Sequence, residues 1–263
     1  MKEFFSLTRN YNMEIKVLVL CGDGLNCENE TAYAFTKYGA QSDIVHINDL
    51  LLRPSSLLEY DIFVIPGGFS FGDEISAARI LSLKLLKGLR RELEKFIELS
   101  KPILGICNGA QALMEMGLLP FGDFSKRGVI TDNIPRGFMD KWVSLELKQS
   151  ICKWISDDDI GVTSMPIRHG QGRFVFDESV ELDSLIEGKQ IVYSYCENPN
   201  SSTLDIAALC DPKGLILGLM PHPEASIDTD LLPIGILNHS SSNIFKTIIS
   251  YMENIKNGVS NGK

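Results

Sequence analysis

Three short segments carry residue types that can do covalent chemistry. The first is Gly105-Ile106-Cys107-Asn108-Gly109. A thiol flanked at two residues' distance by glycines has the G-x-nucleophile-x-G spacing of a nucleophile elbow, with Cys where Ser often stands. Small flanking residues let a strand turn at once into a helix. The N-terminus of that helix then points at the sulfur and favours thiolate. The second segment is Pro221-His222-Pro223-Glu224. Its prolines exclude it from a central strand ladder, so it lies past a strand's end. Residues i and i+2 of an extended chain share a side, so Glu224 can orient the His222 imidazole. A base held by a carboxylate is what a cysteine nucleophile needs. The third segment is Pro66-Gly67-Gly68-Phe69-Ser70-Phe71-Gly72-Asp73. Consecutive glycines expose backbone N–H groups. One of these, with the N–H of Asn108, can form an oxyanion hole. A phosphate loop is the rival reading, but the lysine of GxxxxGK[ST] and the GxGxxG spacing are both missing.

These segments need a scaffold that gathers strand ends. Ile15–Cys21, Asp43–Ile47, Asp61–Ile65 and Pro102–Ile106 read as short buried strands. Helical spacing alternates with them over Asn26–Tyr38, Asp73–Leu99 and Asn108–Met116. In the long helix Leu85, Leu89, Leu93 and Phe96/Ile97 line one face. This order predicts an α/β fold, a flavodoxin-like, doubly wound and mostly parallel sheet. After Gly117 the segments shorten. Trp142–Leu147, Gly161–Pro166, Gln190–Tyr195, Ile206–Leu209 and Leu215–Met220 are strand candidates, several of them antiparallel additions at one side. A helix over Ser242–Ile255 follows the capping stretch His239–Ser242. With no internal repeat and no linker, residues 1–263 read as a single domain. Residues 1–13 form an N-terminal extension and 256–263 a flexible tail. In such a sheet ligands bind beyond the carboxyl ends of the strands, and all three reactive segments fall there.

Composition narrows the class. The 263 residues are 44% apolar and 22% charged, which suits a folded core rather than a disordered chain. The net charge of −9 argues against a nucleic-acid or anionic-membrane partner. No segment has the roughly 18 apolar residues of a membrane helix, nor a signal peptide's core of about 7–15. The six cysteines form no CxxC and no zinc-ligand spacing, so no metal site is expected and a cytoplasmic, reducing compartment is. Apart from Cys107 they read as packing thiols. His46 and His239 read as structural. Lys84, Lys87, Arg90, Arg91 and Lys95 read as a solvated helix face, with a docking surface as the alternative.

With these motifs in view, the chain resembles the class I (triad) glutamine amidotransferases over nearly its whole length. Within them it is most similar to the glutaminase subunits of phosphoribosylformylglycinamidine synthases. Further segments carry that narrower likeness: Gly24-Leu25-Asn26-Cys27-Glu28-Asn29-Glu30, Ala110-Gln111 after the elbow, His169-Gly170-Gln171-Gly172-Arg173-Phe174 and Asn198-Pro199-Asn200. The resemblance implies that Cys107 attacks the glutamine amide, that His222 carries the proton and that Glu224 holds His222. It implies an oxyanion hole from the N–H groups of Gly68 and Asn108. Gly67, Gln111, His169, Gly170 and Gly172 would bind the substrate. It further implies no cofactor in this chain, ATP and Mg²⁺ on a partner synthetase, a channel for ammonia, and a small accessory subunit as a possible third component. Three residues depart from the family pattern: Gln171 where Glu is usual, Arg168 where Ala is frequent, and Ala225 where Arg often follows the His-Pro-Glu segment.

Two alternatives differ in class. The same glutaminase chemistry could serve another ammonia-using synthetase. A non-catalytic cysteine sensor could use the same scaffold, although a sensor has no need of His222 and Glu224.

Overall fold

The computed structural model describes residues 14–73, 76–155, 161–228, 230, 232–234, 236 and 243–258. The expected extension over 1–13, the capping stretch with His239, and the last five residues of the expected tail lie outside the described residues.

The chain opens with β1 (Lys16–Cys21), whose Val17, Leu18, Val19 and Leu20 are completely buried. Four consecutive buried apolar residues leave the middle of the strand no solvent face, and it needs cover on both sides. α1 (Glu28–Lys37), β2 (Gln41–His46), α2 (Ile47–Leu52) and β3 (Ile62–Ile65) follow. His46 ends β2 and caps α2, its Nδ1 accepting the Asn48 N–H at 3.2 Å, so its role is structural. The expected second strand was drawn one residue too far, since Ile47 already belongs to that helix.

α3 (Arg79–Glu98) begins six residues later than the expected Asp73. Phe71, Gly72, Asp73 and Ala78 all have positive φ, which an α-helix cannot accept. The buried face of α3 carries Leu85, Leu89, Leu93, Phe96 and Ile97, as the spacing predicts. Lys87 and Arg91 are exposed, Lys84 stacks over Phe71 at 4.6 Å, and Arg90 pairs with Glu94 at 3.0 Å. The basic stretch is thus partly engaged within the chain.

β4 (Ile103–Ile106), α4 (Asn108–Glu115), β5 (Gly128–Asp132), β6 (Met139–Leu147), β7 (Val162–His169), β8 (Gln171–Phe176), α5 (Leu182–Glu187), β9 (Ile191–Tyr195), β10 (Ile206–Cys210), β11 (Ile216–Leu219) and α6 (Asn243–Lys256) complete the order. The main sheet has nine strands in the order β2-β1-β3-β4-β11-β10-β9-β6-β7. The first five are mutually parallel, and β10, β9, β6 and β7 add to one side with antiparallel pairing. This is the doubly wound sheet with antiparallel additions that the segment order predicts. β5 and β8, which pair as a separate two-stranded sheet, and α5 were not anticipated.

The parallel half positions the site. β1, β3, β4 and β11 are neighbours and point the same way, so their carboxyl ends share one rim. Gly24–Cys27 follows β1, Gly67-Gly68 follows β3, Cys107 follows β4 and His222 follows β11. α1 is pinned to α6 by Phe35 against Phe245, edge to face at 5.1 Å. At the opposite end of β1, Asp61 accepts the Lys16 N–H at 2.8 Å and pairs with Lys256 at 2.6 Å.

Candidate active site

Cys107 stands between the last residue of β4 and the first of α4, with φ 50° and ψ −102°. That conformation is strained for a residue with a side chain, and such strain recurs at functional turns. Its N–H is held by the Leu219 carbonyl of β11 at 2.7 Å. The flanking glycines are required by contact. A Cβ on Gly109 would overlap the Ile65 carbonyl oxygen, and one on Gly105 would stand 2.7 Å from the backbone of Gly109. The spacing read from the sequence is therefore a packing requirement between β3, β4 and α4.

His222 and Glu224 leave the end of β11 on the neighbouring strand. The His222 N–H is fixed by the Pro166 carbonyl at 2.9 Å. His222 Nδ1 and Glu224 Oε1 are 2.6 Å apart, and both residues are 3% exposed. Burial alone pushes the imidazole pKa down. The charges of Glu224 and Cys107, with contacts to the thiols of Cys107 and Cys27, outweigh it and hold His222 well above its ordinary value. A buried imidazole next to a carboxylate keeps its proton because the ion pair replaces lost hydration. His222 Nε2 has no conventional hydrogen-bond partner, and the Cys107 thiol lies instead 3.8 Å from the Arg168 carbonyl. This open arrangement is usual for catalytic groups without substrate.

A cavity of about 150 Å³ opens at the thiol, lined in part by Gly68, Asp73, Cys107, Gln111, His169 and Gly170. Two clefts elsewhere, of about 790 and 650 Å³, are larger but contain neither Cys107 nor His222. Size alone would have pointed to them; the chemistry selects the smaller one. Gly68 lines the pocket, and Asn108 directly follows Cys107 as the first residue of α4. Asn108 is fully buried, and its side chain ties the two loops together. Its Oδ1 accepts the Ser70 N–H at 3.2 Å, while Nδ2 donates to Gln111 Oε1 at 2.8 Å and Asp73 Oδ1 at 3.3 Å. Burial raises the Asp73 carboxyl against the opposing bonds from Ala78 and Asn108.

His169 ends β7 and is buried, with neither ring nitrogen hydrogen-bonded. Burial, then the nearby His222 charge, lower it to about 4. Gly172 does not line the cavity; its place is beneath the His169 ring, which a Cβ there would overlap. Gly67 packs against His222, a Cβ there falling 2.7 Å from Cε1. The ten residues singled out from sequence therefore gather in one place, although Gly67 and Gly172 act by making room.

The three departures are also placed. Arg168 meets the site through its carbonyl, while its side chain pairs with Asp140 at 3.7 Å. Gln171 accepts the Ala77 N–H at 3.2 Å and donates to Asp132 at 2.8 Å, a bond that a carboxylate could not donate. Ala225 follows Glu224 and is partly exposed.

Sequence reasoning missed two features. Asn133, fully buried, donates to the His169 carbonyl at 2.9 Å and accepts the Gly172 N–H at 3.0 Å, so it braces the pocket wall. Its sequence signal is slight, an Asn two residues before a proline in Asn133-Ile134-Pro135. Cys27, taken for a packing thiol, lies beside His222.

The family model for the CobB/CobQ-like glutamine amidotransferase domain matches residues 14–252. The chain belongs to this glutamine amidotransferase family. Phosphoribosylformylglycinamidine synthase subunit PurQ of Methanococcus maripaludis is 43% identical over 227 residues, 81% of this chain and 83% of its own. Subunit PurQ of Archaeoglobus fulgidus is 33% identical over 267 residues, 92% and 98% of the two chains. A chain in the structure of PurLQS from Thermotoga maritima superposes with a TM-score of 0.74 at 28% identity, covering 91% of this amidotransferase and 100% of that chain. Among the described residues of the amidotransferase no helix is long and apolar enough to cross a membrane.

Proposed function

We propose that this protein is the glutaminase subunit of a phosphoribosylformylglycinamidine synthase in purine biosynthesis. One observation carries the chemistry: the elbow thiol of Cys107 and the buried His222–Glu224 pair leave the carboxyl ends of two adjacent parallel strands. The PurQ relatives and the PurLQS likeness support the choice of partner, a synthetase that consumes the ammonia.

In this reading L-glutamine enters the cavity with its side-chain amide over Cys107. The thiolate attacks the amide carbon. The N–H groups of Gly68 and Asn108 receive the developing oxyanion. His222 gives its proton to the leaving nitrogen, ammonia departs, and a glutamyl thioester remains. Water then attacks the thioester. His222 takes a proton from that water, glutamate leaves, and the thiol is restored. Glu224 keeps Nδ1 of His222 engaged, so Nε2 is the nitrogen that exchanges protons. Gln111, His169 and Gly170 border the substrate. ATP and Mg²⁺ act on the synthetase in this reading, and a cytoplasmic, reducing compartment suits the free thiol of Cys107.

Glutamine hydrolysis by the complex with the cognate synthetase tests this. Wild type should release ammonia and Cys107→Ala should not. Equal rates would overturn the nucleophile. Capture of a different ammonia-using synthetase from the native cell would instead overturn the partner.

A further inference from the structure

The thiol of Cys27 has no part in the chemistry above, yet it stands at its centre. Cys27 sits just after β1 and is the N-cap residue of α1, partly exposed and free. A Cβ on Gly67 would touch it at 3.2 Å and the His222 ring at 2.7 Å, so only the bare Gly67 backbone stands beside the two side chains. One ligand atom each from Cys27, His222 and Glu224 lies within 4.8 Å of the other two. The carboxylate also has unused capacity: Glu224 Oε2 is buried without a hydrogen-bond partner.

We propose that Cys27, His222 and Glu224 form a binding site for a thiophilic divalent cation of the Zn²⁺ type, and that its occupancy switches the active site off. Sulfur, imidazole nitrogen and carboxylate oxygen are a zinc donor set, and thiolate disfavours Mg²⁺. Metal bonds of about 2.0–2.3 Å put adjacent tetrahedral ligands roughly 3.5 Å apart. His222 Nδ1 and Glu224 Oε1, now 2.6 Å apart, must separate by about an ångström to admit the ion between them. Binding releases the Cys27 thiol proton and any proton on the coordinating nitrogen of His222 to solvent, with no change of oxidation state. The fourth position remains for water or for Cys107. A cation on Nδ1 takes the place of the Glu224 contact and strips Nε2 of the basicity it needs to take a proton. The off state rests on the catalytic reading given above; the binding itself does not.

The test uses the full, reduced chain and Zn²⁺ alone, in competition with a chromogenic chelator. Wild type and Cys107→Ala should each bind one Zn²⁺ per chain, and excess Mg²⁺ should not displace it. Cys27→Ser should weaken binding by more than about tenfold, at least the loss that follows removal of an outer-shell partner. Cys196→Ser, which removes an exposed thiol elsewhere, should bind as wild type does. Equal affinity in Cys27→Ser, or loss only in Cys107→Ala or Cys196→Ser, would overturn the site. Zinc-edge X-ray absorption of the wild type gives an answer even where Cys27→Ser fails to fold. The spectrum should show a sulfur and an imidazole ligand, and one without sulfur would end the proposal. Glutaminase assays of the synthetase complex then read the off state separately, as loss of ammonia release that a chelator reverses.

Discussion

The His222 imidazole and the Glu224 carboxylate meet at 2.6 Å, although they are only two residues apart and both nearly closed to water. Pro223 between them fixes the turn. Because the pair is made within one short segment, it does not depend on a distant loop to form. The carboxylate has two effects: it outweighs the burial that would strip the proton from His222, and it selects the tautomer.

Glu224→Gln keeps the shape and removes the charge. The imidazole then loses its main electrostatic support, and either tautomer can face the amide. Glutamine turnover in the synthetase complex should fall by about 10²–10⁴-fold, the range of a positioned acid–base group. Alkylation of Cys107 by a glutamine analogue should slow as well. Turnover within a factor of about two of wild type would remove Glu224 from the mechanism.

The elbow predicts a stability effect apart from any chemistry. Gly109→Ala drives a methyl group into the Ile65 carbonyl at the β3–α4 contact. The contact is backbone, so no rotamer change relieves it. Overpacking of this kind costs about 1–3 kcal/mol or more. Denaturant unfolding should show the midpoint falling with an unchanged slope. Gly170→Ala is the control, since a Cβ there meets nothing within 4 Å.

These two cases also show what could be read in advance. Cys107 with its glycines and His222 with Glu224 are local patterns, with their meaning inside five residues. The parallel strands were legible because β1, β3, β4 and β11 are buried apolar runs. Cys27 was not legible as a site residue, because its approach to His222 arises from sheet order: β1 and β11 are separated in the sheet by β3 and β4. The start of α3 was misjudged because Phe71, Asp73 and Ala78 adopt positive φ without being glycine. β5 and β8 are short and sit among turn residues, and they pair only with each other.

Gln171 gives a test of compensation. It donates to Asp132 at 2.8 Å, so Gln171→Glu removes the donor and brings two carboxylates together. Asp132→Asn in the same chain restores a donor. A double-mutant cycle on unfolding free energy should return a coupling of about 0.5–3 kcal/mol, favourable in the double variant. The Ala77 N–H can still be accepted by the new carboxylate, so the loss is confined to the Asp132 side. Additive effects would show that the Gln171–Asp132 bond contributes nothing measurable.

His169 predicts a pH dependence with a definite sign. Its folded value is lowered from 6.5 to about 4, by burial first and by the His222 charge second. The unfolded chain therefore binds a proton near pH 6.5 that the folded chain refuses until about pH 4. The stability gained by keeping His169 neutral is fully present above pH 6.5 and is lost as pH falls towards 4. Over that window the loss amounts to about 3 kcal/mol. His169→Asn cannot take up the proton. Its unfolding free energy, measured beside wild type at successive pH values, should differ by an amount that shifts by about that much between pH 7 and pH 4. A constant difference across the range would mean that His169 titrates alike in both states, and that the ring is better hydrated than its burial beside Gly172 implies.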